Sequence, residues 1–230
     1  MKRKELQQER EAWRRQRFRR SIIEAAERVI VRKGYSLVTM DDVAREAELS
    51  KATLYNYFRS KRELTLEILS HFFEEVDEGG RKIASLPLSA SEKLKKAIRF
   101  YLQFNLDKEN ISRMLLTDRS FVERMKILVT PESKPASDLD RRFITKMKAK
   151  RKEILDRVSG FLKEGVASGE FRKIDIPAAV IFLESVLQGY CQARYWHEHP
   201  YSVPEATEII HGFLLQGIKK KEGLVKGASR

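Results

Sequence analysis

The nine residues Ser50-Lys51-Ala52-Thr53-Leu54-Tyr55-Asn56-Tyr57-Phe58 constrain this chain more than any other stretch. Ser50 can accept from the free backbone N–H groups of the next turn, so a helix is expected from Lys51. Leu54 and Phe58, one turn apart, then share a face and have Val43, Ala44 and Leu49 to pack against. The opposite face is Lys51, Ala52, Tyr55 and Asn56, flanked by Thr53 and Tyr57, with no carboxylate among them. Upstream, Thr39 and Asp42 have capping-box spacing, so a helix is expected from there to about Ala47, with a turn at Glu48-Leu49. Ser60-x-x-Glu63 is a second such box and starts a third helix at Lys61. The unit reads as a helix-turn-helix.

Such a face suits duplex DNA. Ala52 lets the helix start approach base edges, Lys51 and Asn56 can hydrogen-bond to bases, and the hydroxyls of Thr53, Tyr55 and Tyr57 can donate to phosphates. Thr39 and Ser50 at the two helix starts, and Lys61 with its ammonium beside the same phosphate track, complete the candidate DNA-binding set. Taken singly, each has an ordinary structural explanation: a core leucine, a half-buried tyrosine, a solvated lysine. Their joint spacing is what points to DNA.

The pattern Thr39-x3-Val43-Ala44-x4-Leu49-Ser50-x3-Leu54-Tyr55-x-Tyr57-Phe58-x2-Lys61-x2-Leu64 resembles the DNA-binding signature of the tetracycline-repressor (TetR) family of bacterial transcription regulators. The resemblance covers about the first third of the chain. It implies an all-α protein with a three-helix DNA-binding domain and a larger helical effector-binding and dimerisation domain. It further implies a homodimer on a palindromic operator, a ligand-released repressor in most cases. One departure is Glu48, at the turn position where such units often carry Gly. If that residue takes a positive φ, the side chain costs up to about 1 kcal/mol.

The 230 residues carry a formal charge of +13, which favours a polyanionic partner. A single cysteine, Cys191, excludes an internal disulfide framework and fits a reducing compartment. No apolar run approaches the roughly 20 residues of a membrane span, and the N-terminus lacks the apolar segment of a signal peptide. A soluble, cytoplasmic protein with no membrane partner is expected.

Residues 1–20 form a basic N-terminal arm, with nine Lys and Arg residues against Glu5, Glu9 and Glu11. It is expected to fray at its start and to become helical toward Arg17. Two readings stay open: an arm that contacts phosphates or enters the minor groove, and a solvated leader. Residues 21–78 make the DNA-binding domain, beginning with a helix of Ile22, Ala25, Ala26, Val29 and Ile30 capped by Gly34. Its last helix runs from Lys61 to Val76, and Gly79-Gly80 is expected to end it and open a linker to Leu88.

Residues 79–222 are expected to form the second domain. Ser89-x-x-Glu92 caps a helix carrying Leu94, Ile98 and Leu102; another apolar segment spans Ile111 to Leu128, broken by Pro131 and Pro135. Asp138 to Ser168 is one long helix whose front half bears Arg141, Arg142, Lys146, Lys148, Lys150, Arg151 and Lys152. That run is either a solvated face or an entrance that attracts an acidic effector such as a phosphate-bearing acyl thioester. The last two helices, Ile176 to Trp196 and Val203 to about Lys220, are apolar on two sides. One stripe (Ile176, Val180, Leu183, Leu187, Tyr190) serves the domain. The other (Ala179, Phe182, Val186, Gly189, Ala193, Trp196), with Ile209, Ile210, Phe213, Leu214 and Ile218, can build a four-helix bundle with a second copy. Residues 223–230 are a basic tail.

Catalytic groups do not assemble. The histidines at 71, 197, 199 and 211 are scattered; His197-x-His199 lacks a partnering Cys or carboxylate motif, so no metal site and no cofactor are expected. Cys191 reads as a packed small hydrophobe. The reading is therefore a DNA-binding regulator rather than an enzyme. The alternative is a dimeric architectural or division-associated DNA-binding protein that takes no effector. The family places its effector among the middle and penultimate helices, which nominates Phe100, Phe104, Met114, Phe121, Met125, Phe143, Met147, Phe182 and Tyr190. An apolar or amphipathic effector follows from that lining, although each of these could equally be plain core.

Overall fold

The computed structural model describes residues 2–109, 111–112, 138–194, 197 and 201–218. All regular elements among them are helical: α1 (Lys2–Lys33), a 3-10 turn (Tyr35–Leu37), α2 (Met40–Glu46), α3 (Lys51–Tyr57), α4 (Lys61–Ala84), α5 (Ala90–Asp107), α6 (Asp138–Ala167), α7 (Ile176–Ala193) and α8 (Val203–Ile218). The fold is all-α, as expected. The chain divides into two compact units, residues 1–73 with 108–148 and residues 74–107 with 149–230. The sequences of α4 and α6 each run from one unit into the other.

The first unit is built on an apolar stripe along the second half of α1. Ile22, Ala25, Ala26, Val29 and Ile30 are each no more than 2 % exposed. They share the interior with Val43 and Ala44 of α2, with Leu54 and Phe58, and with Leu64, Ile68, Leu69 and Phe72 of α4. Fully burying a side chain such as Phe58 contributes about 2–3 kcal/mol. Gly34 ends α1 in the left-handed region, φ 76°, and its N–H donates to the Ile30 carbonyl, 2.9 Å.

In the second unit α5 supplies Leu94, Ile98 and Leu102, α6 Phe161 and Leu162, α7 Val180, Leu183 and Leu187, and α8 Val203, Ala206 and Ile210. Its helix starts are closed by side chains. Ser89 and Glu92 cap α5 reciprocally, at 3.1 and 3.3 Å. Glu170 accepts there from the N–H groups of Ala90 and Ser91, both at 3.1 Å. Asp175 caps α7 at Ala178 N, 3.0 Å, and Ser202 with Glu205 caps α8. Asp77, fully buried, lies among Arg157 (2.8 Å), Lys150 (3.1 Å) and Arg81 (3.3 Å). Burial pushes its pKa up, but Arg157 and Lys150 outweigh burial and hold the carboxyl below its ordinary value.

The structure differs from expectation at three places. Residues 2–20 do not fray into an arm; α1 is one helix from Lys2, because Arg, Gln, Glu, Lys and Ala, which dominate this stretch, are strong helix formers. Gly79-Gly80 does not end α4, which continues to Ala84. Gly79 is a packing glycine: a Cβ there would overlap the ring of Phe100. Ile210, expected on the outward stripe, is buried within its own unit, whereas Phe182, Ile209 and Phe213 are exposed.

Candidate nucleic-acid interface

Two capped helices hold the candidate face. Thr39 Oγ1 accepts from Asp42 N (3.1 Å) while Asp42 Oδ2 accepts from Thr39 N (3.1 Å), a complete capping box. Ser50 Oγ accepts from Thr53 N, 3.1 Å, and fixes the start of α3. Between them Glu48 stands at φ 56°, the sole non-glycine residue with positive φ among the described residues. The turn accepts that strain because Leu49 N and Ala47 N donate to Ala44 O and Val43 O, 2.8 and 2.9 Å, and lock the geometry.

With Leu54 and Phe58 fully buried, the register of α3 leaves Lys51, Ala52, Tyr55 and Asn56 exposed and Thr53 and Tyr57 half-buried. The far end of α3 is fastened to α1. Arg19 donates to the Tyr57 carbonyl, 2.8 Å, and its guanidinium sits 4.4 Å from the Phe58 ring centre. The rings of Phe18 and Tyr57 are 5.1 Å apart. Nothing in the spacing around Arg19 signals this role, since its partner is 38 residues away.

Two of the cations are not as free as the sequence reading has them. Lys51 pairs with Asp41 at 2.8 Å, which raises its pKa, so the face has a carboxylate at its border. Lys61 turns toward the 3-10 turn, donating to Tyr35 O at 2.8 Å and lying 4.6 Å from the Tyr35 ring centre; burial lowers its pKa. In this geometry Lys61 braces the unit rather than presenting an ammonium outward. The α1–α2 packing has its own charges: Glu46 takes Arg28 (2.7 Å) and Arg32, and Lys33 reaches Asp42 at 2.6 Å.

The nominated effector residues do not gather into one described site. Met114, Phe121 and Met125 lie outside the described residues. Met147 is buried and Phe143 half-buried in the first unit. In the second unit Phe100 and Phe104 form a ring pair, centroids 5.7 Å apart, and Tyr190 donates to Tyr201 O, 2.7 Å. Phe182 is 69 % exposed; the 3.6-residue period turns it away from Leu183 and Leu187, onto the outer face. Cys191 is buried and its thiol is pushed up to about 11 by burial, as a packed, unreactive group would be.

Residues 22–68 match the family described as bacterial regulatory proteins, tetR family. Over 193 residues, 84 % of this chain and 90 % of the relative, the chain is 25 % identical to the uncharacterized HTH-type transcriptional regulator YhgD of Bacillus subtilis. Two solved structures share its fold. The transcriptional regulator FadR of Bacillus subtilis, in complex with stearoyl-CoA, has a TM-score of 0.63 and 19 % identity, covering 86 % of this chain and 97 % of that one. A regulator from Saccharomonospora viridis in complex with choline has a TM-score of 0.65 and 20 % identity, covering 88 % and 98 %. No helix among the described residues is long and apolar enough to cross a membrane.

Proposed function

Because this chain belongs, through residues 22–68, to the tetR family of bacterial regulatory proteins and is a DNA-binding transcription regulator, we propose that it is a homodimeric repressor, released from a palindromic operator by an amphipathic ligand. The observation that carries the DNA-binding part is the exposed face of α3, held at both ends by Ser50 and Arg19. On it Lys51 and Asn56 read bases and Tyr55, with Thr53 and Tyr57 at the margin, reaches phosphates.

The second copy covers the outer apolar face of the last two helices, where Phe182, Ile181 and Val186 on α7 and Phe213 and Ile209 on α8 are between 36 and 71 % exposed. Leaving such side chains in water forgoes burial at about 25 cal/mol per Å². A two-fold interface of α7 and α8 recovers it. The ligand is apolar or amphipathic. Phe100 and Phe104 supply paired aromatic surface. The FadR structure holds a molecule of that class, stearoyl-CoA, on the same fold.

In this reading α4 carries the signal, since its sequence contributes to both units. The test begins with selection of duplexes from a random pool, followed by a screen of fatty acids, acyl thioesters and hydrophobic cations for release of the selected duplex. A ligand that couples to DNA by about 10–100-fold, or about 1.4–2.8 kcal/mol, must itself bind that much more weakly when the duplex is present. Equal ligand affinity with and without the duplex, measured by calorimetry, would rule the release mechanism out.

A further inference from the structure

We propose that the first half of α1 is a second DNA-contacting element: a cationic helical rod that grips duplex phosphates beside the groove occupied by α3, without reading sequence. The proposal rests on the DNA-binding reading of α3 and extends it to residues outside the matched family segment, which begins at residue 22.

The first observation is an asymmetry in how this unit treats its cations. Arg20 pairs with Glu24, Arg28 and Arg32 with Glu46, Lys33 with Asp42, and Lys51 with Asp41. Arg10, Arg14, Arg15 and Arg17 are exposed and have no carboxylate partner among the described residues. Guanidiniums left unneutralised on adjacent turns repel one another, so the arrangement asks for an external polyanion.

Register and position say which one. At 3.6 residues per turn Arg10, Arg14 and Arg17 fall on one stripe, with Glu9 and Glu11 off it to either side. Trp13 borders the stripe, the Arg17 guanidinium 5.4 Å from its ring centre. Just past the stripe α1 is bolted to the end of α3 through Phe18, Arg19 and Tyr57. Arg14 to Arg17 thus stand within about one turn of that joint, and Arg10 about 12 Å beyond Phe18, at roughly 1.5 Å per residue. A duplex offers a negative charge every ~1.7 Å of its axis, which any row of guanidiniums can engage. A lipid surface would ask for an apolar stripe along the helix, and among the described residues the exposed large apolar groups of this stretch are Trp13 and Phe18.

The test compares the unmodified chain with the R10Q/R14Q/R15Q/R17Q variant, glutamine being an equally good helix former. Two duplexes of equal length are used, one enriched from a random pool by the unmodified protein and one of mixed sequence. The expected result is a log–log salt slope lower by about 2–4 units on both duplexes, with the ratio of the two affinities unchanged. The same slope in variant and unmodified protein would overturn the proposal while leaving α3 in place. If the unmodified protein enriches no sequence at all, the DNA-binding reading itself fails. A second measurement keeps every charge: Gln7→Cys, at the edge of the stripe one turn before Arg10, carrying an iron chelate, should cut the bound duplex backbone. Gln7 is exposed whereas Cys191 is buried, so the label goes to position 7. Absence of cleavage in a bound complex equally overturns the proposal.

Discussion

Lys51 has two suitors, Asp41 within the molecule and the DNA outside it. Both side chains are more than half exposed, so the internal pair is weak and readily exchanged. Lys51→Ala should weaken binding and lower the log–log salt slope by about one unit, whereas Asp41→Asn should tighten binding a few-fold, both read by fluorescence anisotropy on a selected duplex. Identical slopes in the two variants would remove Lys51 from the interface. A second prediction concerns acid. Glu46, ordinarily near 4.5, is held at about 2 by Arg32 and Arg28, and Asp42, ordinarily near 3.8, at about 2 by Lys33 and Thr39. Both values are depressed, so the stability they contribute is complete above about pH 4.5 and is lost as pH falls toward 2. The urea midpoint of the full chain should drop across that window, and Glu46→Gln should flatten the drop. At this scale the orientation of α3 was legible, because Ser50, Leu54 and Phe58 act over three or four residues. The tasks of Arg19 and Lys61 were not, because their partners lie 38 and 26 residues away.

Among the helices, α4 shows what sequence spacing reads poorly. Two adjacent glycines are a stop signal in a chain considered one helix at a time, yet here the first is the recess that admits the Phe100 ring. The distinction becomes visible only when α5 lies alongside. It separates two otherwise similar substitutions. Gly80→Ala, whose new carbon would lie 3.3 Å from the Arg157 nitrogen that bonds Asp77, should leave the melting temperature nearly unchanged, since the gain of about 1 kcal/mol from alanine in a helix interior offsets the small shift it forces on that ion pair. Gly79→Ala should lower it by about 2–4 °C, because overpacking of about 1–3 kcal/mol exceeds that gain. Shrinking the ring, Gly79→Ala with Phe100→Leu, should restore the loss. Calorimetric scans of the four chains decide the matter. The helices themselves were legible from capping signals: Thr39/Asp42, Ser50 and Ser89/Glu92 close the starts expected of them. A short-range hydrogen bond needs no tertiary context, and a packing glycine does.

For the molecule as a whole, the outer stripe of α7 and α8 asks for a partner, and a second copy of the chain is the simplest. Sedimentation should give a dimer at micromolar concentration, and Phe213→Glu, placing a carboxylate at a residue 71 % exposed in the single chain, should give a folded monomer. A monomer in the unmodified protein would contradict the four-helix arrangement. The stripe was legible as a second apolar side; which residues fall on it was less so, as the buried Ile210 shows, since a wide apolar helix leaves its rotation to be set by its neighbours. The uncovered first half of α1 has a thermal consequence. A helical stretch with no tertiary cover is held by its own hydrogen-bond ladder alone, and at this length such a ladder is marginal in water. Warming unwinds it from the free end inward, one turn after another, long before the packed units melt. Each turn that unwinds loosens the spacing of one or two arginines, so general attraction to duplexes fades gradually with temperature while the grip of α3 does not. The same protein would therefore linger on arbitrary DNA in the cold and discriminate more sharply when warm.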